Sequence, residues 1–568
     1  AGHLPYNSSY ALPTPQAMAR RFAECPAALA ATLAIAEHCR ISLDFSAHRL
    51  PAFVGNDSHP SPSHSPLSTL PSAHLSLSSF QRLYDLCHAH LPACYPALRP
   101  AVLTQLAHEL AVIEQAGLAE YFLVVWDIVR FARAQGIRCQ GRGSAANSLV
   151  AYLLGITSID PLAHNLLFER FLSPDRFTMP DIDIDFAADR REEVIQYVYQ
   201  RYGHSHAAMV CNVVTYQARS ALRDLGKALA IPTETIAQIE HKLDDNSPQA
   251  AADQIEQWLA GDFTIHHAPS TLHHLALLLR QIDGCPRHLS IHSGGMLITR
   301  TPLDAIVPLE PAAMPGRFVC QWDKESVEDA GLIKIDLLAL RTLGVISEAA
   351  GYIAAMTGQT PDLDALPLDD PAIYRMLQQA DTIGAFQVES RAQQQMLPRL
   401  QPTCFADIAV QIAIVRPGPI QGGAVHPYLR RRSGEEPVHY LHPSLAPVLA
   451  ESLGVLLFQE QAIRVAMCAG GFTPGEADRL RRALSRSQSE AEMAVLRIRF
   501  VQGAVAQGID ELTAGAIFTQ LAGFAGYGFC KSHAASFALI AYQTLWVKRY
   551  HPAVFYCALL NQQPMGFY

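Results

Sequence analysis

The stretch that decides the fold of this chain is Asp181-Ile-Asp-Ile-Asp-Phe186, in which acidic and apolar residues alternate. Because side chains of a β-strand point alternately to its two faces, we expect Asp181, Asp183 and Asp185 on one face. Three like charges on one face repel one another unless cations neutralise them, and hard cations such as Mg²⁺ take carboxylate oxygens. The stretch therefore predicts a core-anchored strand with a metal site. The alternative is an edge strand that turns its acidic face to solvent.

A second candidate strand is Ile333-Lys-Ile-Asp336, where the same alternation puts Lys334 and Asp336 on one face. If this strand lies beside the first, Asp336 supplies a third carboxylate and Lys334 a cation for phosphate. Two metal ions about 3.5–4 Å apart can activate an attacking oxygen and stabilise a leaving one. The pair of strands then predicts phosphoryl or nucleotidyl transfer. The alternative is an ordinary buried Lys–Asp pair.

A glycine-rich turn, Gly141-Arg-Gly-Ser144, precedes a stretch that is typical of a helix. We expect Ser144 to be the N-cap of this helix. Backbone N–H groups and the helix dipole favour an anion at such a helix start, so the turn predicts a phosphate site. Arg170 can join Lys334 in neutralising a triphosphate. The alternative is a capping turn without a ligand.

The distribution of charge bears on nucleic acid as a partner. The net charge of −9 argues mildly against it, because Lys and Arg drive phosphate binding by displacing counterions. Basic residues nevertheless gather in three clusters, which are either phosphate-binding surfaces or solvated helix faces: Arg430, Arg431 and Arg432; Arg479, Arg481, Arg482 and Arg486; Lys548 and Arg549.

The chain contains no apolar run of about 18 residues, the length that a membrane span needs, and no signal peptide pattern. Its twelve cysteines are scattered, without a Cys-x-x-Cys pair, so neither a disulfide scaffold nor a zinc ribbon is indicated. We expect a soluble protein of the reducing cytoplasm. The start at Ala1 is interpreted as the cut edge of a longer protein.

The pattern along the chain predicts an α/β sheet domain interrupted by helices. Helical spacing occurs at 16–39 and 101–136, and residues 54–79 are rich in Ser, Pro and His, as in a linker. The predicted strands are 181–186, 296–299, 318–322 and 332–335. Residues 190–280 look helical, and the chain beyond 342 is mostly helical.

Several long segments, in this order, closely resemble the bacterial DNA polymerase III alpha subunit family, the C family of DNA polymerases. They are Gly141-Arg-Gly-Ser-Ala-Ala-Asn-Ser-Leu-Val-Ala-Tyr152, Leu167-Phe-Glu-Arg-Phe-Leu-Ser-Pro174, Pro180-Asp-Ile-Asp-Ile-Asp-Phe186, Ile291-His-Ser-Gly-Gly295, Leu332-Ile-Lys-Ile-Asp336, Phe386-Gln-Val-Glu-Ser390, Arg416-Pro-Gly-Pro419 and Tyr527-Gly-Phe-Cys-Lys-Ser-His533. The resemblance extends over nearly the whole chain.

The resemblance implies a DNA polymerase that acts on primer–template DNA and dNTPs with two Mg²⁺ ions. Asp181, Asp183 and Asp336 match the catalytic, metal-binding carboxylates, whereas Asp185 is not counted among them. Residues that match nucleotide contacts are Gly143, Ser144, Arg170, Lys334, Arg481, Arg482, Tyr527, Phe529 and His533. For DNA contacts we expect Arg430, Arg431, Arg432, Arg479 and Arg486.

The resemblance also implies an α/β palm of the polymerase-beta-like nucleotidyltransferase type, with an α-helical thumb insertion and α-helical fingers. The expected segments are a helical remnant (1–53), a linker (54–79), palm (80–212), thumb (213–286), palm (287–341) and fingers (342–568). The family's PHP domain and C-terminal elements, including clamp-binding ones, have no counterpart in this sequence. Contacts with a sliding clamp and other mutagenesis or replisome proteins are therefore expected through regions outside this chain.

Two segments resemble the error-prone, damage-inducible branch of the family: Arg190-Arg-Glu-Glu-Val-Ile-Gln-Tyr197 and Leu559-Leu-Asn-Gln-Gln-Pro-Met-Gly-Phe-Tyr568. This branch serves translesion synthesis. The alternatives are the core of a replicative high-fidelity alpha subunit, an RNA-making nucleotidyltransferase and a catalytically silent DNA-binding scaffold. A lost carboxylate would mark the scaffold, and all three are present.

Overall fold

The computed structural model describes residues 12–39, 53, 78–172, 180–261, 268–416, 419, 424–485, 490–524 and 528–565 of the 568-residue chain. The chain divides into two compact units, Ala1–His48 and Arg49–Tyr568. The first unit contains the helices Pro15–Arg21 and Pro26–His38, which confirms the helical prediction for 16–39. Most of the predicted linker, residues 54–77, lies outside the described residues.

A seven-stranded mixed sheet is the centre of the second unit. Its strands are β1 (Cys139–Arg142), β2 (Ile182–Ala187), β3 (Ala207–Thr215), β4 (Pro286–Ile298), β5 (Leu309–Pro311), β6 (Phe318–Cys320) and β7 (Lys334–Leu340). They lie in the order β1-β2-β7-β4-β3-β6-β5. The pairs β2/β7 and β3/β6 are parallel and the others are antiparallel. The sheet confirms an α/β fold.

The strands β2 and β7 are direct neighbours, as the prediction of a shared carboxylate site required. Asp183 is opposite Asp336 in the register of this pair. The alternating apolar residues of β2 anchor it, because Ile182, Ile184 and Phe186 are all fully buried in one core with the helices beside the sheet. The periodicity therefore predicted the faces of β2 correctly.

Helices before and between the first strands cover the sheet. Their bounds are Ser79–Cys94, Pro100–Gln115, Ala119–Ala134, Leu149–Leu153 and Arg191–Tyr202, and the short helix Lys324–Asp329 precedes β7. The apolar stripe of Ala119–Ala134, with Phe122, Val125 and Ile128 fully buried, belongs to the same core as β2. The helices Pro100–Gln115 and Ala119–Ala134 confirm the helical prediction for 101–136.

Between β3 and β4, the chain forms four helices with a separate core. They are Ala218–Ala228, Thr233–Lys242, Pro248–Ala260 and Pro269–Ile282. Their apolar faces pack on one another through Leu222, Ile255 and Leu272. The prediction that 190–280 is helical throughout is wrong at β3, where Met209-Val-Cys-Asn-Val-Val214 forms a strand instead. Its β-branched valines favour that conformation, and β4 pairs with it along most of its length.

After β7 the described chain is almost entirely helical, as predicted. The helices are Arg341–Thr357, Pro371–Gln378, Arg391–Leu400, Phe405–Ile414, Val425–Arg432, Ala446–Leu449, Gln459–Gly470, Pro474–Ser485, Glu490–Ala506, Glu511–Phe524, Lys531–Tyr550 and Pro552–Gln562. Lys531–Tyr550 is largely buried, and its residues Ala538, Tyr542 and Leu545 contribute to a core shared with Phe405–Ile414. Among the helices described, none combines the length and the apolar character that crossing a membrane requires.

Candidate metal and phosphate site

Three carboxylates meet at the start of the paired strands β2 and β7. Asp181, Asp183 and Asp336 each offer an oxygen within 4.8 Å of the others. Burial, followed by the charge of Asp181, raises the pKa of Asp183 to about 7. Asp336 is only 8% exposed, and its Oδ1 is buried without a hydrogen-bond partner among the described residues. The cluster is thus short of positive charge and suits a divalent cation.

Lys334 lies against two of these carboxylates. Its Nζ donates hydrogen bonds to Asp181 Oδ1 at 2.9 Å and to Asp336 Oδ2 at 2.6 Å. Burial alone would lower the pKa of Lys334, but Asp181 and Asp336 raise it above the ordinary value. The buried Lys–Asp pair, which was the alternative interpretation of this strand, therefore exists as part of the larger carboxylate cluster.

Arg142, which the sequence pattern did not single out, supplies a second cation. Its Nη1 lies 3.7 Å from Asp183 Oδ2, and its Nε lies 2.9 Å from Asp185 Oδ2. Asp185 is buried, and it is not one of the three clustered carboxylates. Arg142 and Asp183 face each other in the register of β1 and β2. Only knowledge of that strand pairing identifies Arg142.

The glycine-rich turn passes directly beside the carboxylates. Gly143 has a φ of +68°, and a Cβ at this position would lie 3.4 Å from Asp183 Oδ2. A glycine is favoured at this position because other residues rarely adopt this backbone conformation. Ser144 Oγ donates to the backbone oxygen of Asp181 at 3.1 Å, so the turn is bonded to the start of β2.

The prediction that Ser144 is an N-cap is wrong. Residues Gly143–Asn147 form a 3₁₀ turn, and the α-helix Leu149–Leu153 begins after Ser148, whose Oγ accepts from Ala151 N at 3.1 Å. The buried carboxylate of Glu109 accepts the N–H groups of Leu149 and Val150, at 2.9 and 3.1 Å. The backbone N–H groups at this helix start therefore already have acceptors within the protein. A phosphate site here would have to be formed by the turn Gly143–Asn147 instead.

A cavity of about 200 Å³ adjoins the cluster, and Ser144, Arg170, Asp181, Lys334 and Arg482 contribute to its lining. Four of the nine expected nucleotide contacts, Ser144, Arg170, Lys334 and Arg482, therefore line one cavity. Gln459, which the sequence pattern did not reveal, holds Arg170, because Gln459 Oε1 accepts from Arg170 Nε and Nη2 at 3.2 and 3.0 Å.

His533 and Phe529 lie around the start of the helix Lys531–Tyr550. The His533 ring is 5.2 Å from the ring of Phe529 and 4.1 Å from that of Phe537. Burial, and then the charges of Arg142 and Arg416, lower the pKa of His533 to about 3. The imidazole is therefore neutral at physiological pH. Tyr527, the third residue of this group, lies outside the described residues.

Most arginines of the predicted DNA-binding clusters are engaged in internal ion pairs. Arg430 and Arg431 both contact Glu436, and Arg432 contacts Asp407. Arg481 and Arg482 share Asp478. Arg479 is exposed, and Arg486 lies outside the described residues. Whether these side chains contact phosphates stays a prediction.

Comparison with known proteins gives two family matches in the chain. Residues 81–339 match the bacterial DNA polymerase III alpha NTPase domain, and residues 342–508 match the bacterial DNA polymerase III alpha subunit finger domain. The two matches contain every element of the site except the segment around Phe529 and His533.

Relatives that match most of this chain carry the name error-prone DNA polymerase. The one from Anaeromyxobacter sp. (strain K) is 54% identical over 477 residues, which are 82% of this chain and 42% of the relative. The one from Methylococcus capsulatus is 46% identical over 95% of this chain and 50% of its own length. Error-prone DNA polymerase 2 of Rhizobium meliloti is 45% identical over 98% of this chain and 49% of its own length. The chain spans about half the length of the curated relatives that it matches.

Proposed function

Because the chain belongs to the bacterial DNA polymerase III alpha subunit family, we propose that it is the catalytic part of an error-prone DNA polymerase. In this proposal it adds dNTPs to the 3′ end of a primer, as the template directs, by nucleotidyl transfer. The single observation that carries the proposal is the register of β2 and β7, which places Asp183 opposite Asp336 with Asp181 beside them.

The donor set fits hard divalent cations, because it consists of three carboxylates, one of which has an unsatisfied buried oxygen, Asp336 Oδ1. We assign Asp181, Asp183 and Asp336 as ligands of two Mg²⁺ ions. When bound, these ions activate the primer hydroxyl and neutralise the leaving pyrophosphate. Within the protein, Arg142 pairs with Asp185 and neutralises part of the charge of Asp183.

The incoming triphosphate is bound by the side chains that line the cavity next to the cluster. Lys334, Arg170 and Arg482, which line the cavity, offer positive charge, and the turn at Gly143 and Ser144 offers backbone N–H groups. Gln459 orients Arg170 with two hydrogen bonds. These contacts position the nucleotide for attack, which is the main contribution that a protein makes to phosphoryl transfer.

The domain assignment follows the same family. We assign 80–212 and 287–341 to a palm, 213–286 to a thumb and 342–568 to fingers. The sheet and its helical insertion, which has its own core, support this division. Primer–template DNA and dNTPs, in the cytoplasm, are the proposed substrates.

Primer extension on undamaged and abasic templates tests the error-prone assignment. The chain should extend primers past an abasic site at a rate within about two orders of magnitude of that on the undamaged template. A chain that copies undamaged DNA accurately and stops at the abasic site would instead be the core of a replicative high-fidelity subunit.

Replacing His533 by alanine should weaken discrimination against ribonucleotides. The imidazole packs near the rings of Phe529 and Phe537 and is proposed to fill the space that a ribose 2′-hydroxyl needs. Its removal should lower the dNTP/rNTP ratio of kcat/KM by about tenfold to a hundredfold. Single-nucleotide insertion with matched dNTP and rNTP measures this ratio.

The wild-type ratio should also be independent of pH between 5 and 8, because a pKa of about 3 keeps His533 neutral throughout that range. If His533→Ala slows both nucleotides equally, the residue supports folding or catalysis and does not exclude the 2′-hydroxyl.

Primer–template binding should weaken steeply with salt despite the net charge of −9. Arg479 is the exposed member of the cluster on the helix Pro474–Ser485, so its replacement by alanine should lower the slope of log K against log salt by about one unit. Arg375→Ala is the comparison, because Arg375 is an exposed arginine outside the predicted clusters and its loss should leave the slope unchanged. A flat salt dependence of the wild type would mean that these clusters are solvated faces.

A further inference from the structure

A buried hydrogen-bonded pair joins the start of the helix Lys531–Tyr550 to the glycine-rich turn. Ser532 is fully buried, and its Oγ donates to the backbone oxygen of Gly143 at 2.7 Å. The same Oγ accepts a hydrogen bond from Asn147 Nδ2 at 2.9 Å. Cys530 Sγ also lies 3.0 Å from it. Ser532 thus docks the first turn of this helix onto the turn Gly143–Asn147.

Asn147 extends the connection to a third segment. It is 1% exposed, and its Nδ2 also donates to the backbone oxygen of Ser144 at 3.1 Å. Its Oδ1 accepts from the backbone N–H of Leu167 at 3.2 Å. Leu167 immediately precedes the short helix Phe168–Arg170. One amide side chain therefore ties together three segments that are distant in the sequence.

Each of these segments carries a proposed nucleotide contact. The turn provides Gly143 and Ser144, the short helix provides Arg170, and His533 directly follows Ser532 in the chain. Since almost nothing of Ser532 or Asn147 is exposed, neither side chain has surface left for a nucleotide. Their effect on the reaction has to act through the residues that they hold.

We propose that Ser532 and Asn147 are positioning residues that set the distance between the triphosphate site and His533, and thereby the rejection of ribonucleotides. The triphosphate fixes the nucleotide against the turn, so the space left at its sugar depends on where the helix Lys531–Tyr550 begins. Steric exclusion of one hydroxyl requires that the His533 side chain be placed within about 0.5 Å of its position relative to the sugar. This inference rests on the proposed function and deepens it.

Ser532→Ala is the most direct test. It removes one hydroxyl, leaving the Gly143 oxygen and one Asn147 N–H without their buried partner. Without that bond the helix start can shift, so the dNTP/rNTP ratio of kcat/KM should fall roughly three- to tenfold, the range that one buried hydrogen bond supports. A general loss of folding or catalysis cancels in this ratio, because both nucleotides are measured on the same enzyme.

Ser536→Ala is the matched control. Ser536 is fully buried one turn further along the same helix, but its Oγ donates to the backbone oxygen of Ser532 at 3.0 Å, within the helix. The Ser536→Ala variant also loses one buried hydroxyl, but this hydroxyl makes no hydrogen bond to the glycine-rich turn. The discrimination ratio of this variant should equal that of the wild type.

A double-mutant cycle with His533→Ala identifies the route of the effect. If Ser532 acts through His533, the variant Ser532→Ala/His533→Ala has the ratio of His533→Ala alone. An unchanged ratio in Ser532→Ala, a ratio lowered as much by Ser536→Ala, or independent effects in the double variant would overturn the inference while leaving polymerase activity established. A folded wild type that inserts no dNTP would overturn the proposed function as well.

Discussion

Asp183→Asn should abolish primer extension, lowering its rate at least about a thousandfold, while the folded chain becomes more stable in the absence of metal. We expect the rate to fall because the substitution removes a proposed metal ligand, and bound ions in such sites contribute several kcal/mol to charge stabilisation. The stability rises because Asp183 lies buried beside Asp181 and Asp336, and a neutral amide ends that repulsion. Extension rates and thermal unfolding of both proteins measure the two effects.

The stabilisation should depend on pH in a defined direction. Burial and Asp181 raise the pKa of Asp183 in the folded state to about 7, from an ordinary value of 3.8. The folded protein therefore holds this proton more tightly than the unfolded one, and its stability falls as pH rises between those values. The difference in Tm between Asp183→Asn and the wild type should grow from about pH 4 to about pH 7. Added Mg²⁺ should raise the Tm of the wild type and leave that of the variant nearly unchanged.

Asp369→Asn is the control for these measurements, because Asp369 is an exposed carboxylate outside the site. It should keep wild-type extension and show no gain in Tm that grows with pH. Extension by Asp183→Asn at more than a few per cent of the wild-type rate would contradict the metal-ligand assignment.

Lys334→Met should reduce both activity and stability. The side chain is 8% exposed, and its ammonium bridges Asp181 and Asp336. Removing one partner of a buried ion pair typically costs about 3–5 kcal/mol, because the remaining charge is left uncompensated. We expect kcat/KM for dNTPs to fall at least about a hundredfold, since the proposed triphosphate site loses a cation as well.

The two substitutions are thus predicted to change stability in opposite directions. Methionine keeps most of the volume of lysine, so packing does not account for a loss. Urea unfolding without metal measures the free energies. A Lys334→Met chain as stable as the wild type would mean that the ammonium does not balance the charge of Asp181 and Asp336.

The alternation of residues was enough to predict the acidic strand and its faces. The spacing of Asp181, Asp183 and Asp185 against a buried apolar face follows from the two-residue period of a strand. Periodicity does not show which strands pair, because pairing is set by contacts between distant parts of the chain. From the sequence alone, the strand of Asp336 could therefore only be assumed to lie beside that of Asp183. The register of β2 and β7 confirmed this assumption.

Other parts of the site left no signal in the local pattern. Arg142 is identified through its strand register with Asp183, and Gln459 through its bond to Arg170, which joins segments far apart in the chain. Ser144 was assigned as the helix cap because serine is favoured at that position, yet Ser148 satisfies the same preference one turn later. The strand β3 was missed because helices lie on both sides of it in the sequence.

Single-nucleotide insertion by the chain, with Mg²⁺ and each of the four dNTPs opposite each template base, tests most directly whether this chain is a template-directed DNA polymerase. We expect the complementary nucleotide to be added fastest opposite every base, and Asp183→Asn to add none under the same conditions. A folded, DNA-binding wild type that adds no nucleotide, or adds nucleotides regardless of the template base, would contradict this function.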